Sequence, residues 1–278
     1  MKTGNISNYD VLLLDLWGVI YDGHNLYPEA LETLQKLKQI GKEVIFFSNV
    51  PRMASTVKSM LTGFGINDSL YSKLVSSGEF ANDLLTKKKQ FGTKYFYIGS
   101  PESEEVVFNL GGYQKVSKAE DADFGIITSI INYHEEAKKL AEEAIKYKLP
   151  VLCVNPDKSS IKTSGEVVPC PGVIAEEYEN LGGEVIYFGK PYKHIYEYAL
   201  KDVATGKRVL AIGDSMENDI KGANNMNIDS VLVCSGIHRH DLAIGVGEIP
   251  EEENLMKLYE KYSLKPTFVI SLLRDIKI

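Results

Sequence analysis

Two short apolar runs that each lead into an aspartate restrict the fold of this chain more than any other feature. Val11-Leu12-Leu13-Leu14 leads into Asp15, and Val209-Leu210-Ala211-Ile212 leads into Gly213-Asp214. Four consecutive apolar residues leave no face for water, so each run suits a strand buried on both sides of a parallel sheet. After the first run, Pro28 to Leu37 reads as a helix, with proline in its first turn, apolar residues at helical spacing and Gly41 just past its end. Val44-Ile45-Phe46-Phe47 is the next buried strand, closed by Ser48-Asn49, and Met53 to Phe64 is helical before Gly65. After the second run a helix carries Asp219 and Ile220, and Val231-Leu232-Val233 is a further strand. Strand, helix and strand in alternation require right-handed crossovers, which predicts an α/β fold with a doubly wound, Rossmann-like parallel sheet. Ligands of such sheets lie outside the carboxyl ends of the strands, where Asp15, Ser48 and Asp214 fall together.

Between about Phe80 and Gly183 a second αβ stretch has strands at Tyr95 to Ile98, Phe124 to Thr128 and Val151 to Val154, and a helix from His134 to Tyr147. The crevice residues lie on both sides of it. We therefore expect a discontinuous core of residues 1–78 and 184–278, with residues 79–183 inserted as a second domain. Ser76-Ser77-Gly78 and Leu181-Gly182-Gly183 are the expected joins.

With 278 residues, 44% of them hydrophobic and 25% charged, the chain has the composition of a globular protein with a full-sized core. A net charge of −7 argues against a nucleic-acid surface, which needs a concentrated basic face, but leaves room for a small anionic ligand. Cys153, Cys170 and Cys234 are far apart and form no CxxC pair, so they read as reduced structural thiols, not as zinc ligands. The first ten residues are polar, and no run approaches the ~20 apolar residues that span a bilayer. No membrane association and a cytoplasmic location are expected.

Asp15-Leu16-Trp17-Gly18-Val19, Ser48-Asn49, Gly189-Lys190-Pro191 and Gly213-Asp214-Ser215-Met216-Glu217-Asn218-Asp219 occur in this order, each after an apolar strand or at a helix start. Together they resemble the haloacid dehalogenase-like hydrolases over essentially the whole chain. The inserted segment, with Asn155-Pro156-Asp157 and Pro171-Gly172, looks like the cap of the subgroup that includes nucleotide, p-nitrophenyl phosphate and sugar-phosphate phosphatases. Ser48-Asn49-Val50-Pro51-Arg52 and the Trp17 loop look most like a branch of predicted sugar phosphatases. The resemblance implies a Mg²⁺-dependent phosphatase acting on a small phosphorylated metabolite, and a homodimer through the cap.

The same chemistry follows from the residues. A strand-end carboxylate such as Asp15 can attack phosphorus and form an aspartyl-phosphate, dividing one difficult displacement into two easier ones. Mg²⁺, a hard cation that takes carboxylate, water and phosphate oxygens, would bring the two anions together on Asp15 and Asp214. By resemblance, the backbone carbonyl of Trp17 is its third protein ligand. Lys190 would place a positive charge against Asp15 and the phosphoryl group, while the Ser48 hydroxyl and the Asn49 N–H donate to phosphate oxygens. Asp219 would orient Lys190 or a metal-bound water without binding the metal. Arg52 could meet an anionic substrate group or lie on a solvated helix start. Asn155 and Asp157 could face the substrate from the cap or form a turn.

Trp17 departs from the pattern. Phosphatases of this superfamily usually have a second aspartate there, which protonates the leaving oxygen and then activates water. Indole is a donor only and cannot exchange that proton. A good leaving group, a substitute acid among Asp157, His24 and Asp22, or weak turnover would each accommodate the change. Two other readings compete: a metal-independent dehalogenase-type hydrolase, whose halide leaves unprotonated, and a non-catalytic protein that binds a phosphorylated ligand. The His238-Arg239-His240 run reads as surface.

Overall fold

The computed structural model describes residues 5–101, 103–104, 111–130, 132–162 and 164–277. Its strands are β1 (Val11–Leu14), β2 (Glu43–Ser48), β3 (Lys73–Ser76), β4 (Lys94–Ile98), β5 (Gln114–Val116), β6 (Phe124–Ile127), β7 (Val151–Cys153), β8 (Ser159–Ile161), β9 (Val167–Pro169), β10 (Val185–Tyr187), β11 (Val209–Gly213), β12 (Asp229–Val233) and β13 (Phe268–Ile270). Six of them form a parallel sheet in the order β13-β12-β11-β1-β2-β3. The chain leaves β1 towards β2 and later returns to β11 on the other side, so the strand order reverses at β1, where α/β sheets hold their ligands. Leu14 is aligned with Ile212 on one side and Phe46 on the other, which brings Asp15, Ser48 and Asp214 to one edge.

The apolar runs are buried on both faces, as their lack of alternation demands. Leu12 and Leu14 pack with Phe46, Ile212 and Val231 under Leu34 and Leu37 of helix Ala30–Gln39. Val11 and Leu13 pack with Ile45, Phe47 and Ala211 under Ile195 and Tyr196 of helix Lys193–Leu200. That second cluster continues through Phe80 and Leu85 of helix Ser77–Lys87 to Phe124 and Leu152 of a second sheet. The second sheet is also parallel, in the order β10-β7-β6-β4-β5, and β8 and β9 form a separate antiparallel hairpin.

The structure differs from the sequence expectation at several points. The join expected at residue 78 falls in the first turn of helix Ser77–Lys87, whose start is capped by the Ser76 hydroxyl accepting the Glu79 N–H (3.1 Å). β10 pairs with β7, so residues 185–187 belong with the second sheet although they follow residue 183. The β8–β9 hairpin lies outside the expectation, because three-residue strands, Ser-Ser-Ile and Val-Val-Pro, are too short to carry a periodic signal. Met216–Ile220 is a π-helical turn, wider than the expected α-helix, and Ser215 caps it by accepting the Asn218 N–H. All three cysteines are free thiols. Among the described residues no helix is long and apolar enough to cross a membrane.

Candidate active site

Asp15 and Asp214 extend from adjacent strands, and the π-helical turn after β11 returns Asp219 to the same point. Oxygens of all three carboxylates lie within 4.8 Å of one another. Lys190 Nζ, 2% exposed, lies between Asp15 Oδ1 (2.8 Å) and Asp219 Oδ1 (2.6 Å). Asp219 Oδ2 also accepts the Ser215 N–H (3.1 Å), and Asp214 Oδ2 accepts the Ile237 N–H (2.7 Å). Gly18 and Gly236 leave room for this arrangement, since a Cβ at either would overlap the Asp214 carboxylate, and Gly18 also needs its left-handed φ of 81°.

Three buried carboxylates face one ammonium, so when all are ionised two negative charges stand uncompensated. Burial pushes the Asp15 carboxyl well above the ordinary range, against the pull of Lys190. Burial raises Asp214 too, and repulsion from Asp15 and Asp219 adds to it. Burial alone would lower the Lys190 ammonium, but attraction to Asp15, Asp219 and Asp157 holds it above the usual lysine value. A divalent cation fits this donor set in both chemistry and charge: hard oxygen donors converge on one point, and two positive charges cancel the excess.

The other expected residues surround this cluster. Ser48 is buried at the end of β2, its Oγ accepting the Val50 N–H (3.3 Å). The Asn49 side chain accepts the Lys190 N–H (2.7 Å) and donates to the Lys190 carbonyl (3.0 Å), fixing the backbone that carries the lysine. Its amide also donates to Asp157 Oδ1 (2.8 Å), which accepts equally from Asn218 Nδ2 (2.8 Å). Asp157, between β7 and β8, thus bonds to the segment after β2 and to the π-helical turn after β11. Asn155 supports it from within a turn, accepting the Asp157 N–H (3.0 Å). Arg52 is exposed, and its carbonyl accepts from Ser76 Oγ (2.5 Å). Asp22 is buried and spends Oδ1 on the N–H groups of His24 and Asn25, while His24 is exposed.

Burial pushes the Asp157 carboxyl up to about 6, opposed by Lys190 and the Asn49 bond. A carboxyl raised above its unfolded value of about 4 contributes stability that is full below about pH 4 and lost as pH rises through 6. An asparagine in its place would keep the acceptor oxygen without ionising. Thermal melts of Asp157→Asn and wild type should therefore nearly coincide at about pH 4, with the variant higher by a few degrees at about pH 8.

Trp17 is half-buried, its ring edge-on to Tyr21 at 5.7 Å, and its Nε1 donates to the carbonyl of Ile161 on the β8–β9 hairpin (3.0 Å). Arg239 Nη2 donates to the carbonyl of Lys162 (2.7 Å) and His240 Nε2 to that of Gly165 (3.0 Å). Three side chains from the loops after β1 and β12 thus hold three backbone carbonyls of the β8–β9 hairpin. The expectation that 238–240 is a surface run is corrected: His238 and Arg239 are buried and only His240 is exposed. The cause is tertiary, because the loop after β12 tucks beneath the Asp214 loop on one side and the hairpin on the other.

A family described as haloacid dehalogenase-like hydrolase matches residues 12–112, and one described as HAD-hydrolase-like matches residues 187–276. The sugar-phosphatase AraL of Bacillus subtilis is 26% identical over 81% of this chain and 83% of its own length. The 4-nitrophenylphosphatase of Schizosaccharomyces pombe is 26% identical over 85% of this chain and 87% of its own. Among solved structures, a haloacid dehalogenase-like hydrolase from Brucella suis superposes with a TM-score of 0.78 at 25% identity, covering 95% of this chain and 96% of that one.

Proposed function

Because this chain belongs to the haloacid dehalogenase-like hydrolases, we propose that it is a Mg²⁺-dependent phosphatase, releasing phosphate from a small phosphorylated metabolite through an aspartyl-phosphate on Asp15. The observation that carries this reading is Lys190 buried between Asp15 and Asp219, with Asp214 within metal reach at the same sheet edge. The phosphatase relatives, one a sugar-phosphatase by its name, support a sugar phosphate as substrate, with a nucleotide the other candidate implied by the resembled subgroup.

Asp15, Asp214 and the Trp17 carbonyl would hold the Mg²⁺, which would supply the positive charge that lets a phosphate approach a carboxylate. Asp15 attacks phosphorus with the oxygen not held by Lys190. Lys190 keeps Asp15 in place and compensates charge on the transferring group, with Ser48 Oγ and the Asn49 N–H donating to its oxygens. Asp219 aims the ammonium. The second sheet and the β8–β9 hairpin act as a cap over the crevice, with Trp17 Nε1 bonded to the hairpin carbonyl of Ile161. Asp157 and Asn155 join cap to core, and Arg52 meets anionic groups arriving from solvent. We place the enzyme in the cytoplasm as a dimer through the cap, which light scattering of the purified chain would check.

With Trp17 at the usual acid's position, the leaving oxygen departs without a proton from that side, and hydrolysis of the aspartyl-phosphate lacks its usual base. Turnover is therefore slow. Restoring a titratable group by Trp17→Asp should raise phosphate release by roughly 10²–10⁴-fold on poor leaving groups. The deciding measurement is phosphate and halide release from a metabolite panel, with and without Mg²⁺, for wild type, Trp17→Asp and Asp15→Asn. Metal-independent halide release would replace this reading with the dehalogenase one. Phosphate esters bound but hydrolysed only by Trp17→Asp would favour a phospho-ligand-binding role for wild type.

A further inference from the structure

We propose that His238 is a positioning residue for the metal-binding loop, an inference that rests on the reading of Asp15 and Asp214 as metal ligands. The loop after β12 meets the loop after β11 at two consecutive residues. Ile237 donates its N–H to Asp214 Oδ2 (2.7 Å), and His238 Nε2 accepts the N–H of Met216 (3.0 Å), two residues beyond Asp214. These contacts tie one oxygen of Asp214 and the backbone that follows it, leaving the other oxygen for a cation.

The histidine is itself held in one orientation. Because Nε2 accepts from an N–H, the ring proton is on Nδ1, which faces Asp241 Oδ2 (3.1 Å). Asp241 Oδ1 in turn accepts from Lys261 Nζ (3.1 Å) on helix Glu252–Tyr262, and the Tyr262 ring lies edge-on to the imidazole at 5.2 Å. His238 is 4% exposed. A line of fixed groups thus runs from helix Glu252–Tyr262 to the Asp214 loop, and the two loops meet so closely that a Cβ at Gly236 would overlap the Asp214 carboxylate. A histidine serving only as core filling would not need an acceptor nitrogen aimed at this one N–H. Outer groups that orient metal ligands typically account for roughly 10–100-fold in metal affinity.

The test is titration of the metal-free full chain with Mn²⁺, with free Mn²⁺ followed by electron paramagnetic resonance and no substrate present. His238→Leu, which keeps the volume and orphans the Met216 N–H, is expected to weaken binding by roughly 10–100-fold. His238→Gln places an oxygen near the Nε2 position and is expected to stay within about threefold of wild type. Asp241→Ala, at a half-exposed position, frees the ring and is expected to weaken binding several-fold. Wild-type affinity in His238→Leu, or a loss in His238→Gln as large as in His238→Leu, overturns the proposal. If His238→Leu does not fold, unchanged binding in Asp241→Ala overturns it. Wild type that binds no Mn²⁺ would instead overturn the metal reading on which the proposal rests.

Discussion

Asp15→Asn is expected to lower phosphate release by more than about 10⁴-fold, the largest effect of any single change in this chain. The amide has the size of the carboxylate but is no nucleophile, and it withdraws one anionic ligand from the cation site. Its folding should not suffer. Lys190 keeps its 2.6 Å contact with Asp219, and one of the three crowded carboxylates becomes neutral. The expected pattern is therefore lost turnover with a melting temperature equal to or above that of wild type. Single-turnover assays and calorimetry on the same preparations would show it. Residual activity within tenfold of wild type would mean that phosphorus is attacked by another group.

Lys190→Met should do the opposite to stability and the same to activity. Methionine matches the apolar stem of the lysine but leaves Asp15 and Asp219 buried without their counter-charge, and breaking a buried pair from one side costs about 3–5 kcal/mol. The pH dependence has a definite sign. Burial already holds the Asp15 carboxyl up at about 7, and loss of the ammonium raises it further. A carboxyl raised above its unfolded value of about 4 favours the fold below that pH and loses that contribution as pH rises through the folded value. Urea unfolding of the metal-free variant should therefore show its largest deficit above neutrality and a shrinking one on acidification. Added Mg²⁺ at 100 times its dissociation constant would return about 2.7 kcal/mol if the cation site survives. A deficit independent of pH would point to packing, not charge, as the source.

The parts of the fold legible in the sequence are those where physics leaves little choice. β1, β2 and β11 are continuous apolar runs because both of their faces are covered, and the polar residue ending each one marks the crevice. β3, β10 and the β8–β9 hairpin were not legible, since strands of three or four residues with half-exposed side chains carry neither alternation nor a buried run. At the site, Asp15, Ser48, Lys190 and Asp214 were readable as strand ends and a helix start. The burial of His238 and Arg239 was not, because three charged or polar residues in a row look like solvated surface until the loop after β11 and the hairpin are placed around them. Asn49 carried half of its signal: its position was evident, but the clamp of its side chain on the Lys190 backbone exists only in three dimensions.

The grip of Trp17, Arg239 and His240 on the hairpin falls on the carbonyls of Ile161, Lys162 and Gly165, atoms that every residue possesses. The side chains of Ser159, Ser160, Val167 and Val168, all at least partly exposed, can consequently be exchanged without removing those acceptors, whereas Ile161 is buried and Gly165, at a φ of 95°, lies against Arg239 and His240. Variation there changes what the hairpin presents to the crevice while the backbone hold and the carboxylate cluster stay as they are. On the phosphatase reading proposed above, selectivity and catalysis can therefore evolve as separate traits.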